Sequence, residues 1–322
     1  MEPRTPDRAR GTDRLLGALI GLAVGDALGT TVEFRAPGTF PPVTTITGGG
    51  PFRLAPGQWT DDTSMALCLA DSLIECGGFD PADQMERYWR WYRGGYRSST
   101  GRCFDIGTTV REALDRYRET GNPFAGSTDP QTAGNGSLMR LAPIVLYSAA
   151  RPREAVRLAA ESSRTTHGAA TAVDACRALA ALLLGTLRGL PKDELLDSDR
   201  LLGLGFWNEQ PLEPAVAAVL AGSYRAKAPP EIKGTGYVVD SLEAALWAFD
   251  RTDTFEAGAL AAVNLGNDSD TTGAVYGQLA GAYYGLAGVP SLWLEVLHGR
   301  EELLALGRRL IDRQAPAPGP RS

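Results

Sequence analysis

The sequence is poor in the residues that would tie it to an oxidising compartment, a nucleic acid or a bilayer. Only 4 of its 322 residues are cysteine. Cys68, Cys76, Cys103 and Cys176 include no CxxC pair, so neither a zinc ribbon nor a disulfide scaffold is indicated, and four buried thiols are expected. Histidine is scarcer, with His167 and His298 alone. Basic charge is in deficit: 38 acidic residues face 32 basic ones, the formal net charge is -6, and there is no long run of Lys or Arg. That balance argues against sequence-independent binding of nucleic acid, which needs clustered cations for the phosphates. Uninterrupted apolar runs of the roughly 18 residues needed for a membrane helix are also lacking. Met1 to Asp13 is charged and offers no apolar segment for a signal peptide. A cytoplasmic protein without a membrane partner is expected.

Apolar residues are nevertheless plentiful at 43% of the chain, enough to build a core and too many for a disordered protein. Their spacing is helical. From Asp13 to Leu28, Leu15, Leu16, Leu19, Ile20, Ala23, Val24 and Ala27 recur at three- and four-residue steps, while Gly17, Gly21 and Gly25 form a stripe that permits another helix to come close. Further helices are expected at 60–77, 81–92, 108–118, 138–150, 153–163, 169–187, 212–221, 237–249, 254–265, 271–286 and 291–313. Strand signals are few, with Val43 to Thr47 the one candidate, and Gly94 to Ile106 reads as a long polar loop. The pattern predicts an all-α bundle in one domain, 13–313, with flexible tails at 1–12 and 314–322. The aromatic run from Tyr88 to Tyr92 falls at helical spacing and is expected to fill core.

Chemistry concentrates at the joints. Thr60-Asp61-Asp62-Thr63 opens one predicted helix, and Asn267-Asp268-Ser269-Asp270-Thr271-Thr272 opens another. A single Thr or Asp suffices to cap a helix, whereas two paired clusters also supply hard oxygen ligands suited to Mg²⁺, Mn²⁺ or Ca²⁺. Two independently capped helices and one shared metal centre both satisfy this spacing. Gly134-Asn135-Gly136-Ser137 runs toward a predicted helix and presents backbone N–H groups and a hydroxyl, a disposition that suits phosphate or an ordinary capped turn. Asp26, among small residues, and Glu33 complete the acidic inventory. Asp268-Ser269-Asp270-Thr271-Thr272 also satisfies the Asp-x-Asp-x-Thr signature of haloacid dehalogenase phosphatases. Its late position after an Ala-rich helical segment argues against that class.

In order along the chain, Gly25-Asp26-Ala27-Leu28-Gly29, Glu33, Trp59-Thr60-Asp61-Asp62-Thr63, Asn135-Gly136-Ser137-Leu138-Met139-Arg140, Thr166-His167 and Gly266-Asn267-Asp268-Ser269-Asp270-Thr271 resemble the motifs of the ADP-ribosylglycohydrolase family over roughly residues 13–290. The resemblance implies a compact orthogonal multi-helix bundle with two Mg²⁺ or Mn²⁺ ions. Thr60, Asp61, Asp62, Asp268, Asp270 and Thr271 would ligate them, with Glu33, Asp61 or Asp62 as general acid or base. By the same resemblance Asn135, Gly136 and Ser137 would cradle a diphosphate, His167 would lie near a ribose, and Asp105 would face the scissile end of the ligand. Tyr237, after Gly234-Thr235-Gly236, is a further candidate for the cleft wall. Thr108, where the family often has Asn, and Asn267, commonly Gly, are departures. The implied reaction removes ADP-ribose from a modified protein or small molecule, arginine-linked by preference, with serine-linked or O-acetyl conjugates as alternatives. A monomer is expected. A catalytically silent relative, as in the lens crystallins of this family, is the non-enzyme alternative.

Overall fold

The computed structural model describes residues 5–198, 200, 205–208 and 210–313. Its helices are α1 (Thr5–Gly29), α2 (Asp61–Cys76), α3 (Pro81–Gly94), α4 (Thr108–Thr120), α5 (Ala142–Ser148), α6 (Pro152–Arg164), α7 (Ala170–Leu187), α8 (Lys192–Leu195), α9 (Pro214–Leu220), α10 (Val238–Arg251), α11 (Phe255–Val263), α12 (Ser269–Tyr284), α13 (Ser291–Val296) and α14 (Arg300–Asp312). Among the described residues β pairing is limited to isolated bridges, such as Gly134 with Tyr237. The fold is all-α, as the periodicity predicts.

The pair α1 and α12 forms the centre, and glycine explains why. A Cβ added to Gly17 would lie 2.1 Å from the Gly281 carbonyl oxygen, one on Gly21 2.2 Å from that of Gly277, and one on Gly25 2.0 Å from that of Gly273. Gly273, Gly277 and Gly281 meet Gly25, Gly21 and Gly17 in return. The two backbones are therefore in contact, antiparallel, along four turns of small residues. Each mid-helix glycine costs about 1 kcal/mol in helix propensity, which the burial of both helices offsets. This register places the end of α1, with Asp26 and the following Glu33, beside the start of α12, with Asp268 and Asp270.

A second apolar cluster packs α2, α3 and α4 together through Met65, Cys68, Met85, Tyr88, Trp91, Val110 and Leu114. Tyr88 and Trp91 are buried there, which confirms a core role for the aromatic run.

Several local expectations are corrected. Val43 to Thr47 is not a strand, because the Val43 N–H and carbonyl are both bonded to the Asn264 side chain, at 2.7 and 3.0 Å. Helix α1 begins at Thr5, so residues 5–12 are helical rather than tail; Pro6 is tolerated in a first turn, whose N–H groups have no intrahelical partner. The expected tails at 1–4 and 314–322 lie outside the described residues. Residues 137–140 form turns, and α5 starts only at Ala142 with Pro143 in its first turn. The last predicted helix is split between Val296 and Arg300, where Leu297 turns to ψ 120° and Gly299, with φ 60°, precedes the second piece. Cys68 and Cys176 are buried, but Cys103 is half-buried and Cys76, the final residue of α2, is exposed. Residues 10–32 and α7 are long and apolar enough to cross a membrane by length and composition, although charged or polar residues interrupt both; the two segments are largely buried within the bundle.

Candidate active site

The N-terminus of α2 is capped from another helix. Its own N-cap residue, Thr60, makes no side-chain capping bond. Instead the buried Asp26 carboxylate of α1 accepts from the Thr60 N–H (2.9 Å) and hydroxyl (3.0 Å) through Oδ1, and from the Thr63 N–H (3.0 Å) and hydroxyl (2.6 Å) through Oδ2. Asp26 thus takes the N–H groups of Thr60 and Thr63 at the start of that helix, and neither Asp61 nor Asp62 is needed for this cap. Asp268, at the N-cap of α12, makes no capping bond either. Its Oδ2 accepts from the Asn135 amide at 2.8 Å. Simple capping therefore explains neither acidic cluster.

The acids of the two clusters converge. Thr60 Oγ1 lies 3.2 Å from Asp62 Oδ2 and 3.2 Å from Asp270 Oδ2, besides its contact with Asp26, and Thr271 Oγ1 is 3.5 Å from Asp62 Oδ2. One hydroxyl proton cannot satisfy three carboxylates. Carboxylate oxygens of Glu33, Asp105 and Asp270 all lie within 4.8 Å of one another. Among the described residues Glu33 Oε2, Asp62 Oδ1 and Asp270 Oδ1 are buried with no hydrogen-bond partner. Burial, with the neighbouring negative charges of Asp105 and Asp62, pushes the Asp61 carboxyl well above its ordinary range; burial with Asp26 and Asp270 does the same to Asp62, and burial with Glu33 and Asp268 to Asp270. Burial and the charge of Asp105 push Glu33 up to about 11, and burial and Asp268 push Asp105 up to about 8. Without positive charge these groups must hold protons. Orphaned, hard oxygen donors of this kind fit divalent Mg²⁺ or Mn²⁺.

A cavity of about 360 Å³ opens over the cluster. Glu33, Asp61, Asp105, Asn135, Gly136, His167, Asp268, Asp270 and Thr271 all line it, while Thr60 and Asp62 lie buried beneath. The N–H groups of Gly136 and Ser137 have no hydrogen-bond partner among the described residues and remain available to an anion. The Ser137 hydroxyl is not available. It faces Ser163 Oγ at 2.8 Å and the Cys176 thiol at 3.4 Å, so the expected hydroxyl contact is withdrawn. The loop also meets no helix start directly, since turns intervene before α5. Tyr237 pairs through its backbone with Gly134 and is exposed, and its neighbour Gly236 lines the cavity.

His167 is held in place through Thr166. The wholly buried Arg140 donates to Thr166 Oγ1 at 2.7 Å, and Thr166 Oγ1 lies 2.8 Å from His167 Nδ1. The other ring nitrogen, Nε2, lies near Gly134 and Gly136. Burial and the Arg140 charge push the imidazole down to about 3, so it is neutral at physiological pH. His298 lies apart, its ring 5.2 Å from that of Trp59.

The family model described as ADP-ribosylglycohydrolase matches residues 6–319. The chain belongs to the ADP-ribosylglycohydrolase family. It is 44% identical over 309 residues to ADP-ribosylarginine hydrolase Tri1 of Pseudomonas putida (strain GB-1), covering 96% of this chain and 80% of that protein. It is 36% identical to the ADP-ribosyl-[dinitrogen reductase] glycohydrolase of Rhodospirillum rubrum, covering 95% of each. A solved structure titled "ADP-ribosylglycohydrolase-related protein complex" superimposes with a TM-score of 0.84 at 51% identity, over 95% of this chain and 100% of that one. Within this family setting, Thr108 still lines the cavity despite its departure from Asn, and Asn267 adopts the positive φ of 55° that favours glycine. The phosphatase alternative is excluded, because Asp268 to Thr271 open a helix and not a strand end. Reading the residues in order missed Phe34, Met139 and Val110 in the wall and the capping role of Asp26. The capping role depends on helix register, and no local pattern encodes it.

Proposed function

We propose that the protein is a divalent-metal-dependent hydrolase that cleaves the glycosidic bond between ADP-ribose and an arginine side chain of a modified protein, releasing free ADP-ribose. The observation that carries this reading is the set of orphaned, buried carboxylate oxygens where two helix starts meet. The names of the similar proteins support the acceptor choice. Thr60, Asp61, Asp62, Asp268, Asp270 and Thr271 would hold two Mg²⁺ or Mn²⁺ ions. When bound, such ions supply Lewis acidity toward water and the ribose hydroxyls.

The remaining chemistry belongs to backbone and side-chain groups of this chain. Gly136 and Ser137 N–H groups bind the diphosphate, and His167 Nε2 bonds a ligand oxygen. Asn135 keeps Asp268 turned toward the cavity. Glu33, with Oε2 unpaired, takes a proton from the attacking water or gives one to the leaving nitrogen. Asp105 stands beside it and favours a cationic leaving group. Water adds its hydroxyl to the anomeric carbon of the distal ribose, and its proton ends on the freed guanidine.

The test is ADP-ribose release from arginine-linked, serine-linked and O-acetyl substrates, with and without chelator. Release from the arginine conjugate, lost on chelation and restored by Mg²⁺ or Mn²⁺, is expected. Full turnover after exhaustive chelation, or turnover confined to the serine conjugate, contradicts the proposal.

A further inference from the structure

Beside the acidic end of the cavity stands a row of aromatic rings that the reaction does not use. Phe34 follows Glu33 in the chain, lines the cavity, and is 68% exposed. Its ring centroid is 6.2 Å from that of Phe52 at an interplanar angle of 76°, and Phe52 is 5.0 Å from Phe104, the residue before Asp105. An isolated exposed phenylalanine needs no explanation, but three adjoining rings, two of them next in the chain to the site carboxylates Glu33 and Asp105, do.

The backbone is committed to this arrangement. Phe34 has φ 61° and Asp105 φ 57°, left-handed conformations that non-glycine residues seldom adopt. Phe34 is locked there by reciprocal backbone bonds, its N–H to the Asn267 carbonyl at 2.6 Å and the Asn267 N–H to the Arg35 carbonyl at 2.7 Å. Phe52 lies in a tight turn closed by two hydrogen bonds between Gly49 and Leu54, of 2.8 and 2.9 Å. Gly50 seats that turn on the chain after α1, since a Cβ there would lie 2.1 Å from the Thr30 carbonyl oxygen.

We infer that Phe34, Phe52 and Phe104 form a ledge that receives the guanidinium and aliphatic stem of the acceptor arginine, with Glu33 and Asp105 as its charge partners. The inference rests on the reaction proposed above. Ligand topology selects this occupant. In an ADP-ribosyl conjugate the distal ribose separates the diphosphate from the acceptor, and the adenosine lies on the far side of the diphosphate. With the distal ribose at the acids, the group beyond it is the acceptor. Aromatic faces bordered by carboxylates suit a planar, weakly hydrated cation, whereas adenine would leave the carboxylates unused.

The test measures binding and turnover separately in the full-length protein. Agmatine, a free guanidinium compound, is titrated calorimetrically in the presence of ADP-ribose and Mn²⁺ against wild type, Phe34→Leu, Phe34→Trp and Phe104→Leu. The expected result is roughly tenfold weaker agmatine binding in both leucine variants, recovery in Phe34→Trp, and a much smaller change in ADP-ribose affinity. The same leucine variants should lose more kcat/KM on arginine-linked than on serine-linked substrate. Agmatine that fails to bind wild type, or leucine variants that weaken agmatine and ADP-ribose equally, overturns the ledge. If wild type turned over only serine-linked substrate while agmatine binding still depended on Phe34, the ledge would stand and the proposed reaction would fall.

Discussion

Asp26 and Asp62 are both buried acids at the same helix junction, and they are opposites. Asp26 accepts four hydrogen bonds from Thr60 and Thr63, so its negative charge is answered by the start of α2. Asp62, between those two threonines in the chain, has an orphaned Oδ1 and shares the single proton of Thr60 with two other carboxylates. The first acid organises the structure, and the second waits for a cation. Burial alone does not separate them; satisfaction of the oxygens does.

The largest effect should come from removing an unsatisfied acid. Asp62→Ala and Asp270→Ala are expected to lower kcat/KM by roughly 10³-fold or more, while circular dichroism stays helical. In chelator, Asp62→Asn should raise the Tm, because a mutually repelling carboxyl is gone. Asp26→Ala should behave in the other sense and lose about 3 kcal/mol in urea unfolding, since the Thr60 and Thr63 N–H groups and the Thr63 hydroxyl are stranded. If both substitutions destabilised alike, the distinction would fail.

Mn²⁺ at a hundred times its dissociation constant should stabilise the wild type by roughly 3 kcal/mol, and Asp270→Asn far less, read by thermal shift. A smaller effect concerns pH. In the unfolded chain Asp105 and Glu33 titrate at their ordinary 3.8 and 4.5; in the metal-free fold they titrate at about 8 and about 11. Between those values the folded state binds more protons than the unfolded one, so stability must fall as pH rises from about 4 through 8. Chelated protein that grew more stable over that range would contradict the electrostatic account, and Mn²⁺ should flatten the slope.

Much of this could be read in the sequence. The helical period and the glycine stripe at Gly17, Gly21 and Gly25 foretold that another helix could come close to α1, because both follow from local spacing; that the partner is α12 did not. Thr60 to Asp62 and Asp268 to Thr271 were legible as oxygen clusters, but whether they met depended on the antiparallel register of two helices distant in the chain. Ser137 was misread for a related reason: a residue type shows what a side chain can do, and only packing shows which way it faces. Phe34 escaped notice because an isolated phenylalanine after a glutamate carries no pattern until its backbone dihedral is seen.

The central claim is most directly tested by anomalous diffraction from crystals grown in MnCl₂. Two manganese peaks are predicted, coordinated by oxygens from both acidic helix starts, with the Asp26 carboxylate still on Thr60 and Thr63 and making no metal contact. Active protein whose crystals show no manganese at that junction, or show it bound through Asp26, would contradict the account.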